Sequence, residues 1–273
     1  MNVLIPTDFS KNAWNAVEYA LLLMKDVDVH FTLMHVETES NQYSEAVAIS
    51  EFQPLIPKTV QNNSEKLDSL KKWVLGKYPN SKHSISTTLE ANSLIRQVRN
   101  HVENQKVDLI IMGTKGISAV PNGPLGRNTT DVITRVKCPV LVIPEGIKYE
   151  KPKNIALPTD LNFNMNEGLF KTLKILSDMH NAYMHIVYVG RRNNLMEYQE
   201  RNKNVLVESL NTVRHRFYQC DSSSIESSLE QLVSIKRINM VAIIAKNLNF
   251  FQRILMRPNT GALPFQSQMP FLV

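Results

Sequence analysis

Short apolar runs alternate with amphipathic stretches along the first half of the chain. The runs NVLIPT, DVHFTLMHV, KHSISTTLE, VDLIIM and CPVLVI have the length of strands. Between them, SKNAWNAVEYALLLM, TVQNNSEKLDSLKKWVLGKY and NSLIRQVRNHVENQ show helical periodicity. Ser10 is a candidate cap of the first predicted helix, and the third predicted helix has one apolar face formed by Leu94, Ile95, Val98 and Val102. Continuously apolar strands that alternate with helices predict an α/β, doubly wound domain with parallel strands.

The same pattern then occurs a second time. NVLIPTDFS at residues 2–10 returns as NIALPTDLN at 154–162, and DLIIMGTKG at 108–116 aligns with NMVAIIAKN at 239–247. The offset is 152 at the first pair and 131 at the second, so the first copy has 21 additional residues. We assign them to the polar segment TESNQYSEAVAISEFQPLIPKT. The chain is therefore predicted to form two tandem doubly wound (Rossmann-like) domains, residues 1–147 and 148–273, joined by the polar segment GIKYEKPKN.

Composition agrees with a globular protein of this size. Hydrophobic residues make up 43% and charged residues 21% of the 273 residues, which argues against disorder and against a fibre. No apolar run approaches the ~18 residues of a membrane span, and the start MNVLIPTDFSKN does not resemble a signal peptide. We expect a cytoplasmic protein with no membrane contact. Cys138 and Cys220 lie far apart, which favours two reduced, buried thiols over a disulfide or a zinc site.

The net charge of +6 belongs to the second half of the chain. Residues 1–147 contain 15 basic and 15 acidic side chains, whereas residues 148–273 contain 16 and 10. The basic residues form short groups at 191–192, 214–216 and 236–237, without the interleaved aromatic residues of a platform for single-stranded nucleic acid. We therefore expect a solvated surface and no nucleic-acid partner. A surface that recruits a protein partner is the alternative.

A glycine-rich loop follows the apolar run VDLIIM. The segment GTKGISAVPNGPLGRNTT at residues 113–130 contains four of the nine glycines. In doubly wound sheets, ligands bind at the carboxyl ends of the strands where the winding reverses. That rule selects Pro6, Thr7 and Asp8 after the first strand, and Met112 with Gly113 at the end of the fourth.

The residue types of this loop favour a phosphate ligand. Glycine adopts positive φ and lets backbone N–H groups approach an anion. A helix that begins after Gly126 offers its N-terminal N–H groups and its dipole to a phosphate. Arg127 and the hydroxyl groups of Thr129 and Thr130 are candidate additional donors. The alternative is that the glycines only build tight turns.

These features together resemble the universal stress protein family. The resemblance rests on the P-x-D tripeptide after the first strand, the G-x2-G-x9-G pattern, the polar helix start and the closing PVLV strand. It covers the whole chain as two tandem domains and implies a five-stranded parallel sheet in each. In the branch with these glycines it implies ATP, ADP or AMP as ligand, with or without Mg²⁺.

The resemblance also implies a position for each site residue. It places Asp8 beside the ribose and adenine and Val36 in contact with the adenine. The residues that it assigns to the phosphate loop are Gly113, Gly116, Gly126, Arg127, Asn128 and Thr129. It further implies that the closing strands at 139–142 and 270–273 pair to form an intramolecular pseudo-dimer, and it leaves formation of a homo-oligomer open.

Two departures from the family pattern limit this assignment. Arg127 stands where members that bind ATP usually have Ser or Thr, so its side chain either binds the phosphate or occupies its position. We expect binding, because Asn128, Thr129 and the three glycines match. In the second copy the positions of these glycines are taken by Ile244, Asn247 and Arg257, and that of Arg127 by Pro258. We therefore predict one nucleotide site, in the first domain, and predict that Asp160 is a cap or turn residue. Arg253 and Arg257 leave an anion site in the second domain open.

The sequence favours binding over catalysis. There is no GxxxxGK[ST] motif and no general base stands out, although Asp8 and Arg127 are candidates to hold a metal and to stabilise charge. We expect His83, His101, His180 and His185 to serve packing or to lie at the surface. The segment PTDFSKN lacks the SGGxDS-type loop of adenylyl-transfer enzymes.

The predicted function is a nucleotide-dependent sensor or regulator in the stress response, with at most slow ATP hydrolysis. We expect the nucleotide to order the loop at 113–129 and the segment at 44–57, and an unknown protein partner to recognise that surface. The alternative is an interaction module that binds no nucleotide.

Overall fold

The computed structural model describes residues 1–37, 62–114, 125–163, 167–189, 195–220, 225–244 and 269–273. The chain divides into two compact units, Met1–Tyr149 and Glu150–Val273. The predicted additional segment of the first copy, residues 38–59, lies outside the described residues.

The first unit is a doubly wound α/β domain. Its elements are β1 (Asn2–Pro6), α1 (Lys11–Leu23), β2 (Val29–Glu37), α2 (Asn63–Lys77), β3 (His83–Ala91), α3 (Leu94–Asn104), β4 (Leu109–Gly113), α4 (Arg127–Arg135) and β5 (Val140–Ile143). The strands pair in parallel in the order β3-β2-β1-β4-β5. The chain winds to one side through β2 and β3 and returns to the other through β4, so the winding reverses between β1 and β4.

The second unit has the same strand order. Its elements are β6 (Asn154–Thr159), α5 (Glu167–His180), β7 (Tyr183–Val189), α6 (Glu197–Ser209), β8 (His215–Cys220), α7 (Ile225–Lys236), β9 (Met240–Ala242) and β10 (Phe271–Leu272). Its sheet is also parallel, in the order β8-β7-β6-β9-β10. The prediction of two tandem doubly wound domains, each with a five-stranded parallel sheet, is confirmed.

The helix starts follow from local side-chain chemistry. Ser10 accepts a hydrogen bond of 3.2 Å from the N–H of Ala13, which confirms the predicted cap of α1. Helix α2 begins later than predicted, because the side chain of Asn62 accepts a 2.8 Å hydrogen bond from Glu65 N–H and caps the helix there. On α3, Val98 is buried as predicted, whereas Leu94 is only half-buried and His101 is buried.

The core of each unit lies on its sheet. Buried apolar side chains fill the central strands, among them Leu4 and Ile5 on β1, Phe31 on β2 and Ile110 on β4. Burial of these runs is the main stabilising contribution. Because the core fixes the strands, their carboxyl ends are held in place at one edge of the sheet. Among the helices that the structure describes, none combines the length and the apolar character that a membrane span requires.

Candidate functional site

A tight turn follows β1 and is closed by its own side chains. The Oγ1 of Thr7 accepts a 3.1 Å hydrogen bond from Phe9 N–H, and Oδ1 of Asp8 accepts one of 3.0 Å from Ser10 N–H. Phe9 has a left-handed backbone, with φ of 61°. Asp and Thr stabilise such turns by accepting from the backbone two residues ahead. Asp8 therefore shapes the end of β1 independently of any ligand.

The second unit contains the same turn after β6. Thr159 Oγ1 accepts a 3.0 Å hydrogen bond from Leu161 N–H, and Asp160 Oδ1 accepts one of 2.9 Å from Asn162 N–H. Leu161 has φ of 59°, close to that of Phe9. The prediction that Asp160 is a turn residue is confirmed.

A buried histidine beside this turn was missed by the sequence analysis. Nδ1 of His35 lies 2.7 Å from the carbonyl oxygen of Thr7, and the His35 ring packs against Phe9 with 4.6 Å between ring centres. Because a carbonyl oxygen only accepts, Nδ1 carries the proton and donates it. His35 stands in an otherwise mostly apolar strand directly before Val36, and an ionisable residue at that position was the available signal.

The start of α2 closes the side of the turn. Lys66, which is buried, places Nζ 5.5 Å from the centre of the Phe9 ring and donates a 2.9 Å hydrogen bond to Asn63. Asn63 in turn donates a 3.0 Å hydrogen bond to Glu37 at the end of β2. Val36, the predicted adenine contact, is buried in this strand end. Side-chain contacts thus connect the start of α2 to the carboxyl ends of β1 and β2.

At the end of β4, Gly113 packs closely against α1. A Cβ at this position would lie 3.1 Å from the carbonyl oxygen and 3.2 Å from the Cβ of Asn12, in the first turn of α1. Such distances are tighter than ordinary contacts, so Asn12 would have to shift by a few tenths of an ångström to admit a side chain here. Met112, which precedes Gly113, is buried.

Gly126 lies directly before α4, as predicted, and its backbone is not left-handed. Gly126 caps α4 with φ of −69° and ψ of 154°, the extended conformation of an ordinary N-cap. Its N–H donates a 2.5 Å hydrogen bond to the carbonyl oxygen of Thr114. Glycine at this N-cap therefore matters for its missing side chain and not for a left-handed backbone. Gly116 and the remainder of the loop at 115–124 lie outside the described residues.

The hydroxyl of Thr129 holds the start of α4 against the end of β4. Thr129 is buried, and its Oγ1 donates a 2.8 Å hydrogen bond to the carbonyl oxygen of Gly113. A hydroxyl has one proton to donate, and this one is already used. This hydrogen bond positions α4 against β4. The role of Thr129 as a phosphate contact stays a prediction.

The side chain of Arg127 lies along the surface of α4. It is 94% exposed, and its Nε is 3.9 Å from a carboxylate oxygen of Asp131. Asp131 is also 3.3 Å from Nε of Arg135. Whether Arg127 binds a phosphate or occupies its position stays a prediction. Asn128 beside it is exposed as well.

The second unit differs at the position that corresponds to Gly113. Ile244 stands there, and its side chain is buried. The counterparts of Gly116, Gly126 and Arg127, at residues 247, 257 and 258, lie outside the described residues. A branched side chain thus follows the fourth strand of the second unit, at the position where the first unit has a glycine.

The histidines singled out in the sequence have partners within the fold. Nε2 of His83 lies 3.0 Å from the carbonyl oxygen of Met24, and Nε2 of His101 lies 3.0 Å from Glu90. His180 and His185 are buried in the second unit. These contacts agree with the prediction of packing roles. Within the described ranges, no three His, Cys, Asp or Glu side chains gather as a metal site would require.

The fold and the site define a doubly wound α/β protein with a glycine-containing crevice at the winding reversal. A sequence model of the universal stress protein family matches residues 1–144. The chain belongs to the universal stress protein family. No curated protein matches its sequence.

Solved structures share the fold over the whole chain. A universal stress protein from Archaeoglobus fulgidus has a TM-score of 0.63 and 12% identity, with 99% of this chain and 94% of that chain covered. A putative universal stress protein from Pseudomonas aeruginosa has a TM-score of 0.57 and 13% identity, with 99% and 91% covered. A family member from Arabidopsis thaliana, solved with AMP bound, has a TM-score of 0.33 and 14% identity, with 52% and 90% covered. At these identities the first two show the fold alone.

Proposed function

We propose that the first unit binds an adenine nucleotide at the carboxyl ends of β1 and β4, and that the protein is a nucleotide-dependent regulator in the stress response. The observation that carries this proposal is the hydrogen bond from Thr129 to Gly113. It holds a glycine-capped helix start beside the strand end at which the winding reverses, where ligands of such sheets bind.

The phosphates are proposed to bind at the start of α4. Gly126 has no side chain with which to cap the first-turn N–H groups, so an anion can accept from them directly. The helix dipole adds a favourable interaction with negative charge at this end. Arg127 and Asn128 are exposed beside the helix start and are the proposed further phosphate contacts. Because Arg127 lies along the helix surface, it is able to rotate toward a phosphate without leaving a buried position.

The nucleoside is proposed to lie at the carboxyl ends of β1 and β2. Pro6 and Thr7 are at the end of β1, where the chain enters the turn. Val36 supplies an apolar contact for the adenine, and the carboxylate of Asp8 accepts from the ribose hydroxyl groups. A carboxylate has about four acceptor sites, so its hydrogen bond to Ser10 N–H is compatible with a second bond to a ligand. Mg²⁺ bound with ATP or ADP would be held mainly by the phosphates and water, with Asp8 as the nearest proposed carboxylate.

Binding, and not turnover, is the proposed activity. Rapid hydrolysis needs a group that orients or deprotonates water near the terminal phosphate. His35 is the imidazole beside the site, and it is buried with its Nδ1 proton donated to Thr7. In the second unit we propose no nucleotide site, because Ile244 fills the position of Gly113.

The regulatory output is proposed to come from the surface around the start of α4. A bound phosphate would restrain the first turn of α4 together with the exposed Arg127 and Asn128, and a protein partner would recognise this restrained surface. Hydrogen exchange measures the effect directly. We expect slower exchange at residues 126–131 when ATP is added, and unchanged exchange there would contradict the regulatory proposal.

The nucleotide proposal is tested by the nucleotide content of freshly purified protein and by the shift in melting temperature when ATP, ADP or AMP is added. In Gly126→Val the backbone conformation is allowed for valine, but the isopropyl group covers the helix start. The matched control is Gly76→Val on α2, because a Cβ at Gly76 meets no atom within 4 Å.

We expect one adenine nucleotide per chain in the wild type and in Gly76→Val, and loss of binding in Gly126→Val with the fold retained. A wild-type protein that contains no nucleotide and is not stabilised by ATP, ADP or AMP would contradict the proposal. That result would favour an interaction module that binds no nucleotide.

A further inference from the structure

Three rings form a continuous row on one face of the second sheet. The ring centres of Tyr183 and His185 on β7 are 5.0 Å apart, and those of His185 and Tyr218 on β8 are 5.5 Å apart with an angle of 28° between the planes. Tyr183 and Tyr218 are partly exposed, whereas His185 is buried between them. The face therefore presents two accessible aromatic side chains on a rigid support.

Basic side chains approach the Tyr218 end of this row. On the edge strand β8, Cζ of Arg216 lies 5.6 Å from the centre of the Tyr218 ring. At the end of α7, Nζ of Lys236 lies 5.7 Å from the same ring centre, and Arg237 follows directly. Across the part of the chain that the structure describes, none of these three cations forms an ion pair.

The histidine at the centre of the row is held by hydrogen bonds. Nε2 of His185 lies 3.2 Å from the side-chain oxygen of Asn154, and Nδ1 lies 3.1 Å from the Tyr218 hydroxyl. Burial, together with the charge of Lys236, lowers the pKa of His185. A neutral imidazole supports the neighbouring rings and adds no charge of its own. The arrangement is therefore fixed before any ligand binds.

The first unit lacks this face, although its strands have the same register. Thr32 on β2 pairs with Ser86 where His185 on β7 pairs with Arg216. Counting along these strands, the positions of Arg214, Arg216 and Tyr218 correspond to Ser84, Ser86 and Thr88. The 131-residue offset equates Lys236 with Gln105 and Arg237 with Lys106, which is the one of these positions that is basic in both units. Three cations and an aromatic residue thus replace small or neutral side chains at one location. Part of the charge excess of the second half of the chain is concentrated here.

We propose that this basic aromatic face, formed by Tyr183, Arg214, Arg216, Tyr218, Lys236 and Arg237, binds single-stranded nucleic acid. Proteins that bind single strands combine cations that follow the phosphates with aromatic rings on which bases stack. The cations attract the phosphates, and the exposed parts of the two tyrosines offer stacking surfaces. An acidic peptide would use the cations but not the rings.

The sequence analysis argued against a nucleic-acid partner because the basic groups lack interleaved aromatic residues. In the structure, aromatic rings lie beside two of these basic groups. Arg216 and Lys236 are separated in the sequence, yet both approach Tyr218, and the remaining rings come from the neighbouring strand. The site is visible only once β7, β8 and the end of α7 are brought together.

The test is fluorescence anisotropy of the full chain with labelled oligothymidylate and oligouridylate of about 12 nucleotides, a length within the range of single-strand sites. Neither probe contains adenine, so binding does not report on the proposed nucleotide site of the first unit. Gly126→Val is expected to bind both probes as the wild type does. Comparing the two probes distinguishes DNA from RNA as the preferred single strand.

The variants restore the residues of the first unit. In Arg214→Ser/Arg216→Ser we expect the dissociation constant to rise tenfold or more at low salt. The slope of log K against log salt should fall by about 1.4, since each phosphate contact on a single strand contributes about 0.7. The control is Lys71→Ser/Lys72→Ser on α2, which removes the same charge from another surface and should change the affinity little. Tyr218→Thr should weaken binding by about tenfold, because it removes the ring on which a base stacks. Tyr218→Phe keeps the ring and should bind as the wild type does.

Several outcomes would overturn the proposal. The first is a wild-type protein that binds neither probe at low salt. The second is a loss of affinity in the lysine control as large as that in Arg214→Ser/Arg216→Ser. The third is an affinity for a duplex of the same length equal to that for the single strands. Binding to vesicles of phosphatidylserine and phosphatidylcholine without binding to either probe would also overturn it and would assign the face to a membrane surface.

Discussion

The hydroxyl of Thr129 and the carbonyl oxygen of Gly113 form a partly buried 2.8 Å hydrogen bond between the start of α4 and the end of β4. In Thr129→Val the shape is kept but the donor is lost, so the Gly113 carbonyl loses this partner. We expect the free energy of unfolding to fall by about 1–3 kcal/mol, measured by urea denaturation. Thr129→Ser should stay close to the wild type, and a Val variant as stable as the Ser variant would exclude this role.

Asp8 has a structural and a proposed ligand role that two substitutions separate. Asn keeps an acceptor for Ser10 N–H, so Asp8→Asn should preserve stability, while Asp8→Ala should cost about 1 kcal/mol. Both should weaken ATP binding, measured by calorimetry, because both remove the carboxylate. Asp160→Ala is the matched control in the second unit, where the same turn hydrogen bond would be lost. It should lower stability similarly and leave ATP affinity unchanged. If Asp8→Asn bound ATP normally, the carboxylate would have no part in binding.

Substitution of Arg127 tests whether its side chain contacts the phosphates or obstructs the site. Because its side chain is 94% exposed, Arg127→Ala should leave the melting temperature of the ligand-free protein unchanged. We expect the affinity for ATP to fall more than that for AMP, since ATP carries more phosphate charge. Arg135→Ala, which removes the other partner of Asp131, is the control and should not alter affinity. An increase in ATP affinity in Arg127→Ala would show that the side chain obstructs the site.

The pair of Glu90 and His101 predicts a specific acid sensitivity. Hydrogen bonds from His101 and Thr88 lower the pKa of Glu90 below its usual value of 4.5. A carboxylate whose pKa is lower in the folded state stabilises the fold above its unfolded pKa. This stabilisation is lost as the pH falls through the folded pKa. Glu90→Gln should therefore be less stable than the wild type at about pH 6, and the difference should shrink toward about pH 3. Denaturation at a series of pH values measures it, and a constant difference would refute the assignment.

Cys138 should be an unreactive thiol in the folded protein. Cys138 is half-buried, not fully buried as predicted, and desolvation of its thiol, with a smaller effect of Asp108, raises the pKa of Cys138 to about 12. At pH 8 only about one thiol in ten thousand would then be the reactive thiolate. In a Cys220→Ser background we expect alkylation by iodoacetamide to be slow natively and fast in urea. A native rate equal to that in urea would contradict this expectation.

The architecture was predictable because it depends on patterns that continue over many residues. The strands β1, β4 and β5 and their counterparts β6, β9 and β10 were all aligned from the repeat, and the capping role of Ser10 follows from its side chain. Binary patterns of this kind specify fold class well. The start of α2 was placed too early, because the cap by Asn62 depends on one local hydrogen bond.

The site was less predictable because its geometry depends on contacts between distant residues. The sequence indicated that Gly113 and Thr129 matter, but their roles come from the approach of Asn12 and from a hydrogen bond that the sequence does not show. His35 was overlooked because its partner, the Thr7 carbonyl, is a backbone group. Backbone acceptors have no signature in the residue types.

The turns after β1 and β6 close their side-chain hydrogen bonds within two residues: Thr7 accepts from Phe9 N–H, and Thr159 accepts from Leu161 N–H. Neither turn relies for these bonds on the loop that follows the fourth strand of its unit. After a gene duplication, one copy of that loop can therefore accumulate substitutions without disturbing the start of its domain. Such independence gives a duplicated chain a route by which one half retains an ancestral ligand while the other acquires a different one.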